Sequence, residues 1–285
     1  MSNGTINIVL PEYAPAHIAF TGLSLAFKDA LTAMGYTVNM NSHIDQSDAD
    51  IELIIALIAI KNPNRQNPNK RYIVVQTEQL PTKQSQAPWQ IAKWNELKKY
   101  IQPNDIIWDF FYPFHKHLYS NQSDYIKFGY HPRFDNFAEI EKKYDICFYG
   151  APSDRRKNLM KDFGSKFSWQ GNFRNIHSQN RIDIINSSRI CLNIHYSASK
   201  LVELIRVVSH YLSNKAFVLS EPIIGHDWIM NKNLVVTSPI RQFDDKIRYF
   251  IKNEKERNEL AEQSYQYLKT NHKMSDYIEQ CMARL

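Results

Sequence analysis

The residues of this chain whose types and spacing could do chemistry fall into two groups in its second half. In SKLVELIRVVSHYL, Glu203, Arg206 and His210 recur at helical spacing, His195 and Tyr196 stand just before them, and Glu221 follows in AFVLSE. A carboxylate at a helix start can accept hydrogen bonds from two vicinal hydroxyls, because two donors match two carboxylate oxygens. Plainer readings compete. An acid in the first helical turn, with Ser199 as the cap, gains roughly 0.3–1 kcal/mol from the dipole. Glu203 with Arg206 could be a helix-face ion pair worth a few tenths of a kcal/mol. The other group is YGAPSDRRKN, where Gly150 ends an apolar run and Ser153 or Asp154 can cap the helix that follows. Arg155, Arg156 and Lys157 then fall in its first turn, where cations oppose the dipole unless an anion lies between them. Phosphate binding and an exposed basic turn both fit.

The first half offers candidates for acid and base work on an acceptor hydroxyl. Glu12 and His17 lie in the loop PEYAPAH after the first apolar run, and Glu78 follows the run Tyr72 to Gln76. His17 can equally flank its helix, and Glu78 can be a surface acid. Phe111, Tyr112, His115 and His131 come after later apolar runs and would face the same side. Neither G-x-G-x-x-G nor G-x-x-x-x-G-K-[ST] occurs, and there are only eight glycines. Phosphate must then be held by side chains and helix ends rather than by a glycine-rich loop. Asp48 with Asp50 precedes its strand and faces away from the other candidates, and Asp244 with Asp245 caps a helix. The three cysteines, Cys147, Cys191 and Cys281, have no metal-ligand spacing. No metal and no tightly bound cofactor are expected, and the thiols read as reduced and buried.

The elements that position these residues follow from apolar spacing. Short apolar runs at Ile6 to Leu10, Tyr36 to Met40, Ile51 to Ile58, Tyr72 to Gln76, Asp105 to Phe110 and Tyr125 to Tyr130 read as strands, with helices at Ile18 to Met34 and residues 89–100. The pattern restarts after HPRF. Strands at Asp145 to Tyr149, Phe167 to Trp169, Ile190 to Ile194, Ala216 to Leu219 and Leu234 to Thr237 alternate with helices at Arg155 to Phe163, 176–187, Leu201 to Leu212, 242–252 and 254–270. Alternation of this kind means parallel sheets with right-handed crossovers. The fold class is α/β, two Rossmann-like domains facing across a cleft. Residues 1–135 form the first half, 136–270 the second, and 271–285 a C-terminal helix that can cross back to the first. Ligands of parallel sheets bind at the carboxyl ends of the strands, so His195, Tyr196, Glu203 and Glu221 should face one cleft.

With 285 residues, 43% of them hydrophobic, the chain has the length for two cores and is not disordered. Its apolar runs are too short to span a bilayer, the longest being broken by Glu52, and MSNGTINIVLP does not read as a signal peptide. A cytoplasmic location is expected. A formal charge of +6 favours a polyanionic or phosphorylated partner without requiring one. The composition leaves the oligomeric state open.

SKLVELIRVVSHYLSNKAFVLSE resembles the donor-binding segment of GT-B glycosyltransferases, in the CgeB-like, glycosyl transferase group 1 branch. YDICFYGAPSDRR is similar to the opening strand and basic helix of the same domain, and YIKFGYHPRFD to the linker entering it. The resemblance covers residues 125–270 and reaches the first half only through architecture. It implies a nucleotide-sugar, of UDP or GDP type, as substrate. Glu203 would bind the ribose and Arg155 or Arg156 the pyrophosphate, with His195, Tyr196, Ser199 and Glu221 around the donor. Retaining members carry a Glu-x7-Glu pattern. Here His195 occupies the first position, which leaves the sugar contacts and stereochemistry open. Asn214 replaces a common glycine and can still take a left-handed turn. The acceptor implied is a hydroxyl. The basic charge and the aromatic first-half loops favour 5-hydroxymethylcytosine in double-stranded DNA, as in phage DNA glycosyltransferases. A surface polysaccharide or lipid-linked glycan is the alternative acceptor, and a non-catalytic nucleotide- or sugar-binding protein the rival class.

Overall fold

The computed structural model describes residues 3–11, 14–41, 43–60, 63–65, 67–83, 85–173, 179–197, 200–226, 229 and 232–285, the side chains of 14–19 excepted. Two compact units result. One comprises residues 1–128 with 274–285, the other residues 129–273.

The first unit is a six-stranded parallel sheet of β1 (Thr5–Val9), β2 (Thr37–Asn41), β3 (Ile51–Ile55), β4 (Arg71–Gln76), β5 (Ile106–Asp109) and β6 (Ser123–Tyr125), in the order β2-β1-β3-β4-β5-β6. Every residue of β3 is buried, as a strand of a sheet covered on both faces requires, with Glu52 paired to Lys70 and accepting from Asn7, whereas β2 at the edge is only partly covered. Helices α1 (Ala14–Ala33), α2 (Pro88–Leu97) and the single turn α3 (Tyr112–His115) make the crossovers. The strand expected over Tyr125 to Tyr130 ends at Tyr125. Beyond it Ile126 and Phe128 stay buried, but Phe128 turns its ring onto Phe110, 5.1 Å away, instead of continuing the ladder.

The second unit is a five-stranded parallel sheet of β7 (Tyr144–Tyr149), β8 (Trp169–Asn172), β9 (Ser188–Asn193), β10 (Val218–Ser220) and β11 (Val236–Thr237), ordered β11-β10-β9-β7-β8. Register pairs Cys147 with Cys191 and Leu192 with Leu219, which aligns the carboxyl ends of β7, β9 and β10. Helices α4 (Asp154–Gly164), α5 (Gln179–Asn186), α7 (Phe243–Lys252) and α8 (Glu254–Asn271) cover the sheet, and Phe148, Phe163, Phe217, Phe243 and Phe250 fill one core with Ile146, Ile190 and Leu219.

The helix after β9 departs from expectation. Leu201, Val202 and Glu203 precede it, and α6 (Ile205–Tyr211) is wound as a π-helix that closes in a 3-10 turn at Leu212–Asn214. Ser209 and Ser213 hydroxyls donate to the carbonyls of Ile205 and Val208, side-chain bonds that compete with regular helical ones. The left-handed residue at its end is Lys215, φ 51°, not Asn214. Asn214 is buried, donates to the Phe134 and His210 carbonyls and accepts from the Asn136 N–H, so it ties the segment entering this unit to the end of α6.

Helix α9 (Met274–Met282) returns to the first unit and packs on α1. Met274, Ile278 and Cys281 are fully buried and Tyr277 nearly so, a stripe at three- and four-residue spacing. At about 1.5–3 kcal/mol for each large apolar side chain buried, this helix is a structural part of the first unit.

Candidate functional site

At the carboxyl edge of the second unit's sheet, β7 runs into Gly150, β9 into Ile194 and His195, and β10 into Glu221. Glu221 is buried and organises this edge. Its carboxylate accepts from the His195 backbone N–H at 2.8 Å and from Arg155 Nη1 at 2.9 Å, and its other oxygen takes Arg155 Nη2. Arg155 also donates to the His195 carbonyl at 3.0 Å. This fork is bidentate and holds the α4 N-terminus against the ends of β9 and β10. Ser153, not Asp154, caps α4, accepting from the Arg156 N–H at 3.3 Å while donating to the Tyr196 carbonyl at 3.2 Å.

Arg156 lies under the fork, only 1% exposed. Its Nε and Nη2 donate to the Ile194 carbonyl at 3.1 and 2.8 Å and its Nη1 to Ala151 at 3.0 Å, while its guanidinium sits 5.4 Å from the Tyr196 ring centre. Burial, with the neighbouring charge of Arg206, pushes its pKa down to about 10. Glu203 approaches Arg156 Nη2 at 3.8 Å, and its carboxylate is otherwise open to solvent. The helix-face pair of Glu203 with Arg206 does not form, because Arg206 turns into the unit. Its Nη1 donates to the Tyr149 carbonyl at 3.2 Å and its Nη2 to Asn193 Oδ1 at 2.8 Å; Asn193 in turn donates to Ser220 Oγ. Arg206 is the residue that sequence reasoning passed over. Its one signal was a cation set between Leu204, Ile205, Val207 and Val208, in a helix most of whose residues prove buried.

His195 is 3% exposed, and its Nε2 donates to the Pro222 carbonyl at 2.9 Å. That bond fixes the tautomer, so Nδ1 carries a lone pair, and it is buried without a hydrogen-bond partner among the described residues. Burial holds the His195 pKa below its ordinary value of 6.5, outweighing the opposing effects of Pro222 and Glu221. The unfolded chain therefore binds the proton first, and stability is lost as pH falls below 6.5 until the lowered folded pKa is reached. Wild-type melting temperature should drop between pH 7 and 5, and His195→Gln should flatten that part of the profile; differential scanning calorimetry across pH reads both.

The first-unit candidates have surroundings of their own within that unit. Glu78 is paired with Lys93 of α2. His115 is fully buried: its Nε2 accepts from the Leu80 N–H at 3.2 Å and its Nδ1 donates to Asp109 at 2.8 Å, so both ring nitrogens are engaged. Phe111 is buried against the His115 ring, and Tyr112 is half-buried at the start of α3. His131 belongs to the second unit, where its Nδ1 accepts from the Arg133 N–H at 3.3 Å. Glu12, Ser199 and the side chain of His17 lie outside the described residues.

Residues 137–283 match the family model described as glycosyl transferase-like. The chain belongs to this glycosyl transferase-like family. No curated protein matches it by sequence. Among solved structures, an α-glucosyltransferase in complex with UDP and a 13-mer DNA containing an HMU base is similar over 99% of both chains, with TM-score 0.61 at 10% identity. A second structure so described matches over 100% of this chain and 99% of that one, with TM-score 0.54 at 12% identity. TarM matches with TM-score 0.52 at 11% identity over 82% of this chain and 54% of TarM. These likenesses carry the fold: two parallel α/β units of the GT-B class. Among the described residues no helix is long and apolar enough to cross a membrane.

Proposed function

We propose that this glycosyltransferase moves a sugar from a nucleotide-sugar of UDP or GDP type to a hydroxymethylated base in DNA, 5-hydroxymethylcytosine in particular. The observation that carries the acceptor is the likeness, over nearly the whole of both chains, to an α-glucosyltransferase bound to UDP and DNA with an HMU base. The charge of +6 supports it, since phosphate contacts dominate DNA affinity.

On the donor side, Glu203 accepts hydrogen bonds from the ribose hydroxyls, and its open carboxylate supports that role. Arg155 and Arg156 are the candidates for holding the diphosphate, and Tyr196, Ser199 and Glu221 the further candidates for binding the donor. The lone pair on His195 Nδ1 suits a sugar hydroxyl as its donor. Positive side chains meet the charge that develops on the leaving diphosphate, so transfer proceeds without a metal ion. The first unit holds the acceptor. Glu12, His17 and Glu78 are the candidates for handling its proton, and Tyr112, half-buried where Phe111 and His115 are enclosed, the candidate for contacting a base that must leave its stack to react.

The test is mass spectrometry of duplex DNA carrying 5-hydroxymethylcytosine after incubation with UDP- and GDP-sugars, with and without EDTA, together with DNA binding across a salt series. A hexose-sized mass gain that survives EDTA is expected, and log affinity should fall with log salt by about 0.9 for each phosphate neutralised. Transfer to a lipid-linked or polysaccharide acceptor with none to DNA would reassign the acceptor. Nucleotide binding without any transfer would make the chain a binding protein.

A further inference from the structure

Arg206 is the guanidinium of this edge that no carboxylate meets among the described residues. It donates only to a backbone carbonyl and an amide oxygen, and its buried Nε has no partner. Arg206 and Arg156 converge on one point: a methyl placed on Gly150 would stand 2.7 Å from Arg206 Nη1 and 3.1 Å from Arg156 Nη1. Both guanidinium groups also lie over the Phe148 ring, at 5.5 and 5.4 Å. Two cations held out of water beside a bare glycine repel each other, and each has lost hydration that its neutral partners only partly replace. The carboxylates nearby do not make up the deficit. Glu221 is taken up by Arg155, and Glu203 reaches Arg156 alone, at 3.8 Å. What the arrangement lacks is negative charge, and only a residue without a Cβ at position 150 lets both guanidinium groups come this close to the strand end.

We propose that Arg206, together with Arg156, seats the diphosphate of the donor over Gly150, which makes Arg206 a donor-binding residue. This rests on the nucleotide-sugar reading above. Each guanidinium keeps N–H groups beyond the bonds already described, and a diphosphate accepting from both gains charge-assisted bonds that a lone lysine-like charge would not give.

Calorimetric titration of the full chain with inorganic pyrophosphate, UDP and uridine tests the seat. Wild type should bind UDP more tightly than uridine, and should bind pyrophosphate. Arg206→Gln should lose about tenfold to hundredfold of its affinity for pyrophosphate and UDP while its affinity for uridine stays unchanged. Undiminished binding of pyrophosphate and UDP by this variant overturns the proposal. So does a parallel loss for UDP and uridine, which would mean that Arg206 only braces the strand ends. If Arg206→Gln does not fold, Arg206→Lys decides: it keeps the charge without the fork, and the ratio of UDP to uridine affinity should fall about tenfold, an unchanged ratio overturning the proposal. A wild type that binds pyrophosphate but discriminates no nucleotide would refute the donor class while leaving the anion seat standing, so the two readings fail separately.

Discussion

Glu203→Ala should lower affinity for UDP or GDP about hundredfold and leave the melting temperature where it was. The size follows from two hydroxyl-to-carboxylate bonds, since hydrogen bonds to charged groups contribute about 1.5–3 kcal/mol each and shared geometry reduces the sum. The unchanged stability follows from what Glu203 touches. Its side chain meets Arg156 at 3.8 Å and is 38% exposed, an arrangement that contributes little to folding. Arg156 keeps its bonds to the Ile194 and Ala151 carbonyls in the variant. A ribose-specific readout sharpens the test. Wild type should prefer UDP to 2′-deoxy-UDP, and Glu203→Ala should bind the two alike. In steady-state transfer the loss should fall mainly on KM, because the ribose is held equally in ground and transition states. A variant that still discriminates the two sugars would move the ribose contact elsewhere.

That experiment bears on a residue the sequence could place, whereas its neighbours illustrate what a sequence cannot supply. Strand cores were legible because a mostly apolar, β-branched run such as Ile51–Ile55 has one home in a parallel sheet, and the register of β7, β9 and β10 then carries Gly150, His195 and Glu221 to one edge. Adjacent arginines were not legible. Arg155 and Arg156 point about 100° apart on a helix, and the structure sends one to the Glu221 fork and the other beneath it. Arg206 was masked by a local rule: an acid three residues before a base suggests a surface pair, yet burial of most of α6 turns Arg206 toward Asn193. The π winding left no mark either, since its apolar spacing also fits an ordinary helix, and the serine hydroxyls that accompany it act only once the helix is enclosed. The bonds of His115 depend on Asp109, six residues earlier and on a strand, a separation at which no helical or strand period pairs side chains.

Asp109→Ala should destabilise the first unit by about 3–5 kcal/mol, because it strands buried hydrogen-bond donors. Asp109 is fully buried and accepts from three donors: the Phe111 N–H at 2.6 Å, His115 Nδ1 at 2.8 Å and the Tyr119 hydroxyl at 2.6 Å. Burial, and then the Asp109 charge, raise the Tyr119 pKa well above its ordinary value, so the phenol stays protonated as a donor. Alanine would strand all three groups away from water, each at about 1–3 kcal/mol. Asp109→Asn, the same shape with one acceptor, should cost less, because Phe111 keeps its partner. The pair Asp109 and His115 has the look of a catalytic dyad, an acid orienting an imidazole. Its geometry points to a brace, for the nitrogen that would act as base already accepts from the Leu80 N–H. Urea unfolding followed by tryptophan fluorescence should therefore show the transition of the first unit moving to lower denaturant. Pyrophosphate binding, a property of the second unit, should persist at urea concentrations where the first has unfolded. Loss of pyrophosphate binding together with the first unit's fluorescence transition would show instead that the two units unfold as one.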